Sequence, residues 1–419
     1  MDPIIITLAI LGGAVILFFT EIIPMPVTAL LVPVALSLFG ILEPAEAVSY
    51  FGDKWVIIFL AMFMVGEAVF RTGLADIIGR ATVRFAGKDA TRVLILVMLI
   101  VGVMSAFLSN TGTIAVFIPI VLGICRSAEI KPGKILMPMA FAASLGGTMT
   151  LIGTPPNGVV NSIISERGLV PFGFFEFAKI GGILFVVGIL YYLLIGERFL
   201  PDSQAESEEL FHRDMTFRRN KMWIAIAVFL FVIVMMATEL IPLVTAALLG
   251  ACLMIITRCI TMKEAFQSVS WTTIFLFAGM LPMSAAMQSS GAAAMIAEVV
   301  ISNVTSPWLL LGVIYLFTAV LTNFMSNTAT AALMAPIGIA IAVGYNVNPE
   351  PILIAIATAA SACFLTPIAT PPNTIVLGPG GYHFLDYLKA GWLLQIIVAA
   401  IGVLVIDRKS TRLNSSHYS

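Results

Sequence analysis

Gly153-Thr154-Pro155-Pro156-Asn157 interrupts an apolar run that extends from about residue 135 to 166, and Ala369-Thr370-Pro371-Pro372-Asn373 interrupts a second run in the other half of the chain. A proline pair removes two backbone donors and disfavours helix at the residue before it. In hydrocarbon, each unpaired backbone N–H or C=O costs several kcal/mol, so a helix break survives at membrane depth only where protein, water or a ligand satisfies the freed groups. One such motif is ordinarily a packing kink. Two at equivalent places point to a built site.

Equivalence follows from an internal repeat. Thr20-Glu21-Ile22-Ile23-Pro24 returns as Thr238-Glu239-Leu240-Ile241-Pro242, an offset of 218 from residue 20 to 238. Ser109-Asn110-Thr111 returns as Ser326-Asn327-Thr328 at an offset of 217, and Thr154-Pro155-Pro156-Asn157 returns as Thr370-Pro371-Pro372-Asn373 at an offset of 216. The reading divides the chain into repeats over 1–196 and 222–406, joined by a polar linker over 197–221.

The solvent these repeats require is lipid. Of the 419 residues, 60% are hydrophobic and 11% charged, and the mean hydropathy is +1.05, against about 25% charged residues in soluble domains. A net charge of -1 argues against a nucleic-acid partner, which needs a basic face. The four Cys and three His show no metal or disulfide spacing, and the amino end lacks the basic start and cleavage site of a signal peptide. From Asp407 onward the chain turns abruptly polar and resembles a translated sequencing-adapter oligonucleotide. Residues 407–419 are set aside as a non-native tail, with the native carboxyl end expected to be missing.

In the first half, apolar spans cover about 3–19, 25–41, 55–71, 135–166 and 177–196, and the runs 93–108 and 112–125 flank Ser109-Asn110-Thr111 as arms of a re-entrant hairpin. Five crossings per repeat, an odd number, put the second repeat into the membrane upside down. Charge supports this all-α, inverted-repeat plan, because cytoplasmic loops are enriched in Lys and Arg. With the amino terminus outside, sixteen basic residues fall on the inner side, among them Arg71, Arg80, Arg84, Lys88 and those of the linker, against Lys54, Arg167 and Lys179 outside.

Ser, Asn and Thr favour turns and helix amino-terminal caps. A helix starting after each tip, Ser109-Asn110-Thr111-Gly112-Thr113 and Ser326-Asn327-Thr328-Ala329-Thr330, would point free N–H groups and its positive end into the protein, a ready anion site. Carbonyl ends of the preceding arms, with Ser and Asn oxygens, would suit an alkali cation. No Asp, Glu, His, Lys or Arg lies between Val93 and Cys125 or between Leu309 and Val347. A proton relay needs such groups, so sodium is favoured as the coupling ion. Glu67 and Arg71, four residues apart on one helix face, are expected to form a structural pair. Glu21 and Glu239, near Pro at span ends, are expected at the interface.

At these motifs the chain resembles the divalent anion/sodium symporter family of di- and tricarboxylate and sulfate carriers, over nearly everything from Met1 to Ile406. The resemblance implies that the tips meet at mid-membrane and hold the substrate anion between Asn110, Thr111, Asn327 and Thr328. It implies one sodium at Ser105, Ser109, Asn110 and Gly153, and a second at Thr322, Met325, Asn327 and Ala369, with Met325 serving through its carbonyl. It further implies a homodimer with an elevator-like movement. Many members carry an additional amino-terminal span that this chain is expected to lack. The function expected is sodium-coupled symport of a small dianion across a plasma membrane, of the prokaryotic inner-membrane kind, without an organic cofactor and with no metal beyond sodium. The alternative is an exchanger or antiporter similar to arsenite permeases or sodium/proton antiporters. An enzyme is disfavoured, because no nucleophile–base or metal-ligand pattern accompanies the breaks.

Overall fold

The computed structural model describes residues 2–74, 76–78, 89–201, 217–304 and 306–416. Arg80, Arg84, Lys88, linker residues 202–216 and the last three residues of the tail lie outside the described residues. Among those described the secondary structure is helical, with no strand. The first repeat supplies α1 (Pro3–Thr20), α2 (Met25–Leu38), α3 (Pro44–Ser49), α4 (Lys54–Arg71), α5 (Ala90–Ser105), α6 (Asn110–Ala128), α7 (Leu136–Gly147), α8 (Pro155–Glu166) and α9 (Ala178–Leu194). The second supplies α10 (Met222–Thr238), α11 (Leu243–Ile256), α12 (Met262–Ser268), α13 (Trp271–Ser289), α14 (Ala292–Asn303), α15 (Pro307–Leu321), α16 (Asn327–Gly344), α17 (Pro349–Ser361), α18 (Pro371–Leu377) and α19 (Phe384–Ser416). Among the described residues, five helices are long and apolar enough to cross a membrane, six if the bent pair α12–α13 forms one span. Helix α19 runs through the adapter-like segment to Ser416, its side chains beyond Asp407 lying outside the description.

Local chemistry sets the ends. Asp2, Asp53 and Asp89 accept backbone N–H bonds as N-caps of α1, α4 and α5, replacing partners that a helix start lacks. Glu21 and Glu239, counterparts in the repeat, both occupy the left-handed region (φ 49° and 54°) as C-caps of α1 and α10, and both are exposed.

The packing partners exchange under the repeat. Helix α2 lies on α13 while its counterpart α11 lies on α4; α5 packs on α7 as α15 packs on α17; α8 packs on α16 and α17 as α18 packs on α6 and α7. Two bundles result, each mixing both halves. Helices α1–α4 and α10–α13 form one, and α5–α9 with α15–α19 form the other, with α14 packed mainly on α16 and the two meeting where α4 meets α6 and α8 and where α13 meets α8 and α16. Without a hydrophobic driving force in lipid, close backbone approach holds such helices together. A Cβ on Gly146 would fall against the Gly102 backbone, so α5 and α7 cross with their main chains touching.

The proline pairs do not end a helix where the sequence suggests. Helix α7 stops at Gly147 and α17 at Ser361, several residues upstream, and Pro155 and Pro371 instead occupy the first positions of α8 and α18. A proline at the first turn loses nothing, since that N–H is unpaired anyway. The breaks are therefore segments, 148–154 and 362–370.

Candidate functional site

Ser109 caps α6, its Oγ accepting from Gly112 N–H at 3.4 Å, and Ser326 caps α16, accepting from Ala329 N–H at 3.2 Å. Further N–H groups at each helix start remain available, together with the positive end of the helix. Both starts open on one cavity of about 920 Å³, within the range of small-molecule sites. Asn110, Thr111, Asn327 and Thr328 all line it, as do Ser109, Ser326, Gly153, Thr154, Pro155, Ala369, Thr370, Pro371 and Pro372. Ser105, Thr322 and Met325 are buried and do not line it; the same holds for Pro156, Asn157 and Asn373.

Each break is tied to the tip before it by a threonine. Thr150 Oγ1 donates to Ala106 O, and Thr366 Oγ1 donates to Asn323 O at 2.8 Å. The asparagine of each Thr-Pro-Pro-Asn motif then ties the break to its own second helix: Asn157 Nδ2 donates to Thr150 O at 2.8 Å, and Asn373 Nδ2 to Cys363 O at 2.9 Å and Thr366 O at 3.1 Å. Thus Asn157 and Asn373 satisfy carbonyls that the broken helix leaves open.

The first tip and its break bring oxygens together. A Cβ on Gly153 would stand 2.5 Å from Gly147 O and 2.8 Å from Ala106 O, and one on Gly147 would stand 2.9 Å from both amide atoms of Asn110 and 3.0 Å from Gly153 O. Ser105 Oγ and Asn110 Oδ1 are buried without a hydrogen-bond partner. An orphaned Asn110 Oδ1 against crowded carbonyls, with a second orphaned oxygen on Ser105 at the end of α5, is donor chemistry that suits a hard cation. The second tip differs. Thr322 Oγ1 lies 2.9 Å from Asn327 Oδ1 and 2.5 Å from Ala360 O, and the buried thiol Cys363 stands at the register of Gly147. Sequence reasoning passed over Thr150, Thr366, Ala106, Gly147 and Cys363; the 216-residue offset, from Thr150 to Thr366, was the available signal.

No ionisable side chain belongs to either tip. Among the described residues lining the cavity only Glu67 and Arg71 are charged, and they form the expected pair at 2.7 Å. Arg71 also reaches Glu264 of α12 at 2.8 Å, and Arg218 holds the same carboxylate through two bonds of 2.7 and 3.0 Å.

Residues 15–359 match the citrate transporter (CitMHS) family. Similar proteins include the uncharacterised transporter YfbS of Escherichia coli (strain K12), 28% identical over 95% of this chain and 98% of that protein. The sodium-dependent dicarboxylate transporter SdcS of Staphylococcus aureus (strain USA300) is 28% identical over 93% of this chain and 82% of its own. Among solved structures, the Alcanivorax borkumensis YdaH transporter, described as having an unusual topology, superposes with a TM-score of 0.64 over 97% of this chain and 98% of that one, at 12% identity.

Proposed function

This chain belongs to the citrate transporter family of integral membrane transporters, and from that premise we propose that it is a sodium-coupled symporter of a small dianion, a di- or tricarboxylate or sulfate, in a plasma membrane. The observation that carries the reading is Asn110 Oδ1, buried without a partner where Gly147 and the Gly153 carbonyl crowd its amide, with Ser105 Oγ at the end of α5 orphaned as well. The sodium-dependent dicarboxylate transport named for SdcS is consistent with it. Burying a dianion between helix starts that carry no Lys or Arg is prohibitive without cations. Sodium behind each tip, at Ser105, Ser109, Asn110 and Gly153 and at Thr322, Met325, Asn327 and Ala369, supplies them. The anion then sits between Asn110, Thr111, Asn327 and Thr328, on the N–H groups of α6 and α16.

In this reading the two repeats are inverted, the Ser-Asn-Thr junctions are tips of re-entrant hairpins, and the linker is cytoplasmic; the charge bias supports it. The α5–α9/α15–α19 bundle moves against the other, within a homodimer. Uptake of labelled succinate, citrate, sulfate and arsenite into proteoliposomes, with and without a sodium gradient, tests the proposal. Sodium-dependent accumulation of at least one dianion is the expected result. Exchange that ignores sodium would assign the chain to the exchangers instead.

A further inference from the structure

The cavity that holds the tips extends along α4 to Glu67 and Arg71 and to the α12–α13 bend at Gln267, Ser268 and Ser270. Arg71 is its one cationic lining residue among those described. Its side chain is 34% exposed, so it stands where the cavity meets water. The guanidinium is fixed on two sides: Nε to Glu67 at 2.7 Å and Nη1 to Glu264 at 2.8 Å. Glu264 is itself held in place by Nη1 and Nη2 of Arg218 and by the N–H and Oγ1 of Thr261. Arg71 Nη2 has no partner among the described residues. A rigidly held guanidinium edge with free donors is a receptor for a carboxylate or other oxyanion.

We propose that Nη2 of Arg71 is the station at which the transported anion is received between water and the tips, with Glu264 aiming the guanidinium and Glu67 limiting how tightly it holds. The inference rests on the proposed symport of a dianion. The zwitterionic rim suits a cavity that must admit sodium and an anion by the same route: a rim with Arg71 alone would repel the cation, and one with Glu67 alone the anion. In the charge-bias topology this rim is cytoplasmic, so Arg71 acts on the inner face and not on the outer one.

The test uses the full-length protein in right-side-out and inside-out membrane vesicles, with labelled succinate as probe. Arg71→Gln is expected to raise the half-saturating succinate concentration at the cytoplasmic face by about tenfold, as for loss of a charge-assisted hydrogen bond. It should leave the outer face and the sodium requirement unchanged. Arg71→Lys should recover part of the loss, and the wild-type dependence on ionic strength at that face should flatten in Arg71→Gln. Glu67→Gln breaks the same ion pair but keeps the cation. It should leave or lower the half-saturating concentration, whereas a merely structural pair predicts the same damage from both variants. Equal effects of Arg71→Gln and Glu67→Gln, an equal rise at both faces, or no change would each overturn the role of Arg71. Should the wild type itself show no sodium-dependent succinate movement, the symport reading falls first.

Discussion

A few uncharged oxygens decide the proposed chemistry. Ser105 Oγ and Asn110 Oδ1 are buried without partners, a state that costs about 1–3 kcal/mol per group when left unmet. A cation binding there recovers that cost, so sodium should raise the thermal stability of the purified protein in detergent, and Ser105→Ala should shrink the rise. Asn110→Ala and Asn327→Ala should each raise the sodium needed for half-maximal transport by about tenfold, in line with loss of one such ligand. Thr111→Ala and Thr328→Ala should weaken anion binding even at saturating sodium. If the asparagine variants leave the sodium dependence untouched, the cation sites lie elsewhere. The four tip residues are legible because they form a duplicated polar triplet; Thr150 and Thr366, which bind each break to its tip, are duplicated too, but a single threonine in an apolar run draws notice only once the repeat is aligned position by position. The Thr322–Asn327 contact, absent at the first tip, depends on side-chain positions that no motif encodes.

At the element scale, each break is backed by the last helix of its repeat through a glycine. A Cβ on Gly181 of α9 would stand 2.5 Å from Thr148 O, and one on Gly391 of α19 would collide with Phe364 O, the counterpart of Thr148 at the 216 offset. Gly181→Ala and Gly391→Ala should therefore each destabilise the protein by about 1–3 kcal/mol, the usual cost of overpacking. Gly182→Ala, which meets nothing within 4 Å, should be neutral in the same denaturation series. Outside the apolar spans, α12 anchors the end of the linker: hydrogen bonding from Arg218 holds the Glu264 carboxyl down to about 2, from an ordinary 4.5. A depressed carboxylate contributes its stability above the unfolded value and loses it as the pH falls through the folded one. A spin label on Asn220→Cys should keep its mobility from pH 7 to 5 and loosen only between about 4.5 and 2; loosening already above pH 5 would show that Glu264 does not carry the anchor. The long helices of the first half are readable from their apolar runs; the short α3 and α12, and α14 in a stretch with polar ends, are not, and the breaks lie upstream of the proline pairs. Proline marks a favourable helix start as readily as a stop, and Gly147, where α7 ends, has no proline beside it.

At the scale of the whole molecule, consecutive repeats in sequence become two mixed bundles in space. The repeat itself was visible in three short motifs. Which helix faces which was not, because α7, α9, α11 and α13 are apolar all round and give no face preference to read. Glycine close approaches such as Gly146 on Gly102 decide those pairings. Only a few contacts of this kind cross between bundles: Gly158 of α8 leaves room for the Phe59 ring of α4, and Gly112 of α6 for that of Phe70. In the proposed function, sodium held by uncharged oxygens drives the anion through this assembly. The most direct test is labelled succinate, citrate and sulfate uptake into sealed proteoliposomes under either an inward sodium gradient without a pH gradient, or a pH gradient with sodium absent. The account predicts concentrative uptake of at least one of these anions in the first case and none in the second, and uptake driven equally well by the pH gradient alone would contradict it.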